Sequence, residues 1–266
     1  MTTTISTPYK NLLVESRGPV TVLSIHRPEV LNALNRETLS EIEDFAQRFL
    51  ADAEQQALIV TGSGAKSFIS GADINELAVL DPRGAEEISR FGQRVLDRLE
   101  QAPKLVIAAI NGYAFGGGCE LALACHLRLA SENAVMGLPE VSLGIIPGYG
   151  GTQRLPRLIG PARAVELMAS ARRVKADEAE RIGLVNRVLP LEQLLPEAEK
   201  LALAVLKNAP LAVAAVLEAV RRGLQMPLAD GLRLESSLFA ILAASEDMHE
   251  GLNAFLEKRP AQYHRR

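Results

Sequence analysis

Cysteine, histidine, long apolar runs and an excess of charge of either sign are all scarce in this sequence, and each scarcity excludes something. Only two cysteines occur, Cys119 and Cys125. They are too few for a disulfide scaffold and are spaced neither as a CxxC redox pair nor as paired zinc ligands, so they read as buried, reduced thiols. The four histidines (His26, His126, His249, His264) are scattered, with no HExxH and no pair at helical spacing, and no metal site is expected. His126, between two apolar runs, reads as a packed or hydrogen-bonded side chain. No serine stands in a GxSxG elbow, which leaves a serine hydrolase without support. The 29 basic and 32 acidic residues leave a net charge of −3, which gives no electrostatic case for nucleic acid or an anionic membrane. The longest apolar stretches, such as LVIAAI (105–110) and LAVAAVL (211–217), fall far short of the ~18 residues that span a bilayer. MTTTISTPYK at the start lacks the pattern of a secretory or transit peptide. A soluble cytoplasmic protein is expected.

What is present is ordinary globular composition, 48% hydrophobic and 23% charged over 266 residues, enough for one large domain or a domain with a helical appendage. Two short strands are predicted within 11–26, separated by a turn at Arg17-Gly18-Pro19. Segment 36–50 puts Leu39, Ile42, Ala46, Phe49 and Leu50 on one helical face, and about 84–100 does the same with Ile88, Phe91, Val95 and Leu99. QALIVTG (56–62), KLVIAAING (104–112) and CHLRLAS (125–131) read as buried strands. Buried strands alternating with amphipathic helices argue for an α/β core with parallel pairing. From about 160 only LVNRVL (184–189) reads as a strand, and the rest is Ala/Leu/Glu-rich helix to 258. The expected division is a core of 1–190 and a helical region of 191–266.

The 20 glycines are clustered. TGSGAKS (61–67) follows a strand but fails the spacing of a phosphate loop and reads as a turn. NGYAFGGGCELALA (111–124) is more informative. Three glycines after a buried strand let the backbone turn with positive φ, and the helix-forming ELALA places Gly116–Gly118 at a helix N-terminus. Unpaired N–H groups and the helix dipole favour negative charge there, as an oxyanion hole requires. The plainer alternative is a tight strand-to-helix turn. Farther on, MGLPEVSLGIIPGYGGTQRL (136–155) carries Glu140 among apolar residues, followed by a glycine-rich bend that enters a helix. Such a carboxylate should have a raised pKa, and two carboxylates from separate segments can divide base and acid roles.

In these residues the chain resembles the enoyl-CoA hydratase (crotonase) family. The resemblance runs through HRPEVLNAL (26–34), SGADINEL (70–77), NGYAFGGGCELALAC (111–125), LPEVSLGIIPGYGGTQRL (138–155) and EGLNAFLEKR (250–259). It implies a crotonase-like superhelix of ββα turns with a helical C-terminal trimerisation region, assembled as a homo-trimer or homo-hexamer. It also implies hydration of a 2-trans-enoyl-CoA to a 3-hydroxyacyl-CoA, as in fatty acid β-oxidation. The acyl-CoA thioester is the substrate, so CoA is part of the substrate and no separate cofactor is implied. Gly117 and Ala72 match the two backbone donors to the thioester oxygen, and Glu120 and Glu140 match the catalytic glutamates. Val30, Leu31 and Ala33 match the loop that lines the CoA site. Ser70, Asp73 and Ile74 match the loop beside pantetheine and thioester, and Phe239 and Lys258 match C-terminal CoA contacts.

The sequence departs from that pattern at three places. His126 stands where relatives commonly carry aspartate, Leu138 where some hydratases carry a polar residue, and Tyr149 at a usually smaller position. The alternatives are a crotonase-type dehydratase or isomerase for a specialised acyl-CoA, and a non-catalytic acyl-CoA- or RNA-binding protein. Against RNA, segment 36–50 has only Arg36 and Arg48 as basic residues.

Overall fold

Strands without a polar face need cover on both sides, and in the computed structural model, which describes residues 3–4 and 9–264, they receive it. The chain opens with β1 (Thr3–Thr4), β2 (Leu12–Arg17), β3 (Val20–Ile25) and α1 (Arg36–Ala51). There follow β4 (Ala57–Gly62), β5 (Ser67–Ile69), α2 (Ile74–Leu77) and α3 (Pro82–Glu100). Next come β6 (Leu105–Ile110), β7 (Tyr113–Phe115), α4 (Gly117–Ala124), β8 (Leu127–Ser131) and β9 (Val135–Gly137). The core then closes with α5 (Gly151–Ile159), α6 (Pro161–Ala169), β10 (Val174–Lys175), α7 (Ala176–Arg181) and β11 (Arg187–Leu189). Four helices end the chain: α8 (Leu191–Val205), α9 (Pro210–Gly223), α10 (Leu228–Leu242) and α11 (Glu246–Leu256).

The strands form two sheets, ordered β1-β2-β3-β4-β6-β8-β11 and β10-β9-β7-β5. The pairings β3–β4, β6–β8 and β8–β11 are parallel, as are β5–β7 and β7–β9. Successive passes of chain therefore contribute one long strand to the large sheet and one short strand to the small sheet before a helix returns them. This is the ββα repeat implied by the resemblance. The predicted helical faces are buried as expected: Leu39, Ile42, Ala46 and Phe49 on α1, and Ile88, Phe91, Val95 and Leu99 on α3.

Two expectations are corrected, and one feature goes beyond the residue pattern. The strands β5, β7 and β9 of the small sheet have three residues each, too few for an alternation to register. The strand expected over 184–189 shortens to β11, since Leu184 and Val185 both turn their N–H groups back to Ala179 O and the Asn186 side chain accepts the Arg128 N–H. The strand expected over 125–131 begins at Leu127, because Cys125 still donates to Ala122 O at the end of α4.

Two compact units divide the described residues: those up to Ala102 with Val106–Glu199, and Pro103–Leu105 with those from Lys200 onward. In the second unit α9 packs on α10. Its tail is tied to α11 by the Arg259 guanidinium on Glu250 and by the His264 N–H on Asp247. No single helix among the described residues is long and apolar enough to cross a membrane.

Where the chain passes from β6 to β7 it leaves one sheet for the other, and Asn111 makes that step possible. Its Oδ1 accepts from the Gly62 N–H and the Thr61 hydroxyl, while Nδ2 donates to Gly62 O and Gly64 O. Asn111→Ala removes the partner of several buried backbone groups at once. It is expected to destabilise the fold by about 1–3 kcal/mol, read as a lower urea midpoint, whereas an unmoved midpoint would show that water replaces the side chain there.

Candidate active site

Gly116 follows β7 with φ 48° and ψ −125°, a conformation closed to residues with a Cβ, and stands at the N-cap of α4 without a side-chain cap. The N–H groups of the first turn of α4 are thereby left to face whatever lies in front of them. A side-chain carbon at Gly116 would lie 3.2 Å from Glu140 Oε1 and 3.6 Å from Gly71 Cα. That absent carbon marks where three segments far apart in sequence meet. Gly118 has a different reason to be glycine. A carbon there would collide with Ile69 O, so α4 can lie directly on β5 only without one.

The loop that carries Ala72 is held by a single parallel bridge between Leu34 and Ala72. Leu34 donates to Gly71 O at 2.8 Å and accepts from the Asp73 N–H at 2.8 Å. In such a bridge the central residue, Ala72, turns its own N–H and C=O away from the partner strand. The preceding loop is shaped by two consecutive residues in the left-handed region, Leu31 (φ 53°) and Asn32 (φ 60°). The Asn32 side chain supports that strain by accepting the Arg27 N–H and donating to Ser63 O and Ser67 O. Val30 and Ile74 are exposed on these loops, Ala33 is buried, and Leu31 and Ser70 are half-buried. The Asp73 carboxylate is already engaged: it caps α2 through Asn75 and pairs with Arg27 at 3.2 Å. Phe239, on α10, and Lys258, after α11, are exposed residues of the second unit.

Glu120 lies on the first turn of α4 and is 1% exposed. Its Oε1 accepts two backbone N–H groups, from Tyr149 and Gly151, each at 2.7 Å. Both donors belong to the glycine-rich bend 148–151, which the sequence singled out but did not connect to Glu120. Gly151 is glycine for that reason, since a carbon there would lie 3.0 Å from Glu120 Oε1 and 2.9 Å from Leu138 Cδ1. Burial pushes the Glu120 carboxyl up to about 7 and the Glu140 charge adds to this, while the two N–H groups oppose it. Glu140 opens a short 3-10 turn, Glu140–Leu143. Burial pushes it, too, up to about 7. Among the described residues its buried Oε2 meets no hydrogen-bond partner, so this oxygen is not committed to the surrounding fold as Glu120 Oε1 is.

Arg154 was not recognised in the sequence. Its guanidinium pairs with Asp97 and Glu100 on α3 and donates to Tyr149 O at 2.8 Å, and so holds the bend that holds Glu120. His126 lies elsewhere: its Nδ1 accepts the Val106 N–H and its Nε2 meets Glu100 O, a backbone clamp between β6 and the end of α3. The helix behind the site is anchored at its far end by Arg128. That side chain is 6% exposed and donates to Ala122 O and Cys125 O at the C-terminus of α4 and to Leu184 O. Among the described residues no three His, Cys, Asp or Glu side chains gather as metal ligands.

One raised carboxyl, Glu140, thus stands beside the uncapped N-terminus of the helix whose first turn carries the other, Glu120, within the first unit, and relatives share nearly the whole chain that builds them. A family model described as enoyl-CoA hydratase/isomerase matches residues 15–266. A crotonyl-CoA hydratase of Syntrophomonas wolfei subsp. wolfei is 47% identical over 255 residues, covering 96% of this chain and 98% of that protein. A short-chain-enoyl-CoA hydratase of Clostridium acetobutylicum is 45% identical over 249 residues, covering 94% and 95%. Among solved structures, an enoyl-CoA hydratase from Bacillus anthracis superimposes with a TM-score of 0.93 at 40% identity, covering 97% of this chain and all of that one.

Proposed function

The chain belongs to the enoyl-CoA hydratase/isomerase family, and on that premise we propose that it adds water across the C2=C3 double bond of a 2-trans-enoyl-CoA to give a 3-hydroxyacyl-CoA. The observation that carries this reading is a pair of carboxyls each pushed up to about 7, the buried Glu120 in the first turn of α4 and the half-buried Glu140 beside the Gly116 turn. A pair sharing one proton near neutrality can remove a proton from water and deliver one to carbon in the same site.

The environments divide the roles. Glu120, with two N–H groups on Oε1, is the better holder of negative charge and takes the proton of the attacking water. Glu140, with a bare Oε2, is the better holder of the proton and delivers it to C2. As the water oxygen bonds to C3, the π electrons move toward C2 and the thioester carbonyl. The N–H groups of Gly117 and Ala72 are the donors assigned to that oxygen, and one such donor is worth roughly 3 kcal/mol in comparable sites. When C2 takes the proton from Glu140 the carbonyl re-forms, and the proton count closes with one proton again shared by the pair. The step is written with side chains and substrate alone, CoA entering as part of the thioester. Val30, Leu31, Ala33, Ser70 and Ile74 border the CoA side, and the Arg27–Asp73 pair holds that border in shape.

The same reading includes a homo-trimer or homo-hexamer in the cytoplasm. The exposed apolar residues Val216, Val220, Leu224, Phe239 and Phe255 of the second unit support the assembly, and light scattering measures it. The activity is tested with crotonyl-CoA, by the loss of the enoyl-thioester absorbance. Turnover is expected. Tight binding of acyl-CoA without turnover would instead make the protein a binding module.

A further inference from the structure

Resting on that reading, we infer that the Tyr149 ring closes the acyl end of the site behind C4, so that the substrate is a short, four-carbon enoyl-CoA. The direction of the acyl chain follows from the site. The thioester lies at Ala72 and Gly117, with the CoA border formed by the 27–34 and 70–74 loops. C3 must stand before Glu120, whose carboxylate is held by the bend 148–151. Whatever extends beyond C3 therefore leaves toward that bend, and Tyr149 is its only large side chain.

The ring is packed in on several sides. A carbon at Gly117 would lie 3.1 Å from Tyr149 Cε2 and 3.5 Å from Leu34 Cδ1, so the ring stands beside the assigned oxyanion donor. On its other side a carbon at Gly92 of α3 would collide with ring atoms Cγ, Cδ1 and Cε1. The ring thus occupies a notch that exists because α3 has no side chain there, and no room remains between ring and helix for an alkyl chain. The residue is 6% exposed.

The backbone is fixed as firmly as the ring. Ser89 and Gln93 of α3 both donate to Gly148 O, at 2.6 and 2.9 Å. Arg154 donates to Tyr149 O, and the Tyr149 N–H is committed to Glu120. Moving the ring aside for a longer chain would have to strain this set of bonds, on which the placement of Glu120 depends.

The test compares kcat/KM for C4, C8 and C12 2-trans-enoyl-CoAs in the wild type, Tyr149→Phe and Tyr149→Ala. The wild type is expected to favour C4 over C8 by tenfold or more, and Tyr149→Phe to keep that ratio, since the ring and not the hydroxyl is the wall. Tyr149→Ala is expected to raise the C8-to-C4 ratio at least tenfold. Calorimetric binding of butyryl-CoA and octanoyl-CoA to the same three proteins reads the pocket without turnover. A protein inert toward every enoyl-CoA that still binds butyryl-CoA over octanoyl-CoA would overturn the hydratase reading and keep the wall. A wild type that handles C4, C8 and C12 alike in rate and in binding, or a Tyr149→Ala protein with an unchanged binding ratio, overturns the wall.

Discussion

Replacing Glu120 by Gln is expected to lower kcat for crotonyl-CoA by about 10²–10⁴-fold while leaving the fold and the affinity for acyl-CoA nearly intact, and Glu140→Gln to do the same. The glutamine at 120 can keep its carbonyl oxygen where Oε1 now accepts the Tyr149 and Gly151 N–H groups. The geometry therefore survives, and what disappears is the ability to accept a proton. At 140 the lost atom is the unpartnered Oε2, so an amide there breaks no hydrogen bond and its effect is likewise chemical. Because the two carboxyls share one proton cycle, the double variant should be little slower than the worse single variant rather than the product of the two. Steady-state rates on purified variants decide the matter. Either single variant retaining a third or more of wild-type kcat would remove that glutamate from the mechanism.

The second expectation concerns stability and carries the opposite sign. The Glu120 carboxyl titrates near 7 in the folded protein against an ordinary value of 4.5. Below pH 4.5 it is protonated in folded and unfolded chains alike and contributes no difference. Between 4.5 and 7 the unfolded chain releases the proton while the folded one retains it, so stability falls as pH rises through this window. Above 7 the loss is complete, at about 3 kcal/mol. Glu120→Gln has no such group, so the variant should be the more stable protein at pH 8, by about 3 kcal/mol at most. The difference should shrink toward zero as pH approaches 4.5. Urea unfolding of wild type and variant at pH 5, 6, 7 and 8 measures it. A difference that does not change with pH would mean that the carboxyl is not held neutral by its surroundings.

How much of this was legible in the sequence depends on the range over which each feature acts. The long strands and both amphipathic helices of the core were readable because burial on two faces, or on one stripe, leaves its period in consecutive residues. The Gly116–Gly118 turn was readable for the same local reason, and Leu138-Pro139-Glu140 marked a carboxylate in apolar company. Convergence was not readable from the residues themselves. Nothing near Glu120 in sequence says that its partners are N–H groups some thirty residues later, or that Gly116 is small because Glu140 and Gly71 approach it. Asp73 shows the limit from the other side. The resemblance placed it in the substrate loop, and its carboxylate spends its bonding on Arg27 and on the start of α2. His126 reads in the sequence as a packed or hydrogen-bonded side chain, and it is one, but that reading does not name the backbone of β6 and α3 as its partners. A single side chain cannot announce whether its partner is a substrate or a neighbouring strand.

The unequal treatment of the two ends of α4 has a consequence of its own. At one end a permanent cation, Arg128, with only carbonyl oxygens among its hydrogen-bond partners, answers the negative pole. At the other end neither Gly116 nor any side chain completes the helix. On the proposed reading, the thioester oxygen of a bound substrate serves as the cap at this end. A ligand that carries full negative charge at that oxygen should therefore tighten the first turn of α4 against hydrogen exchange, more than a neutral thioester does.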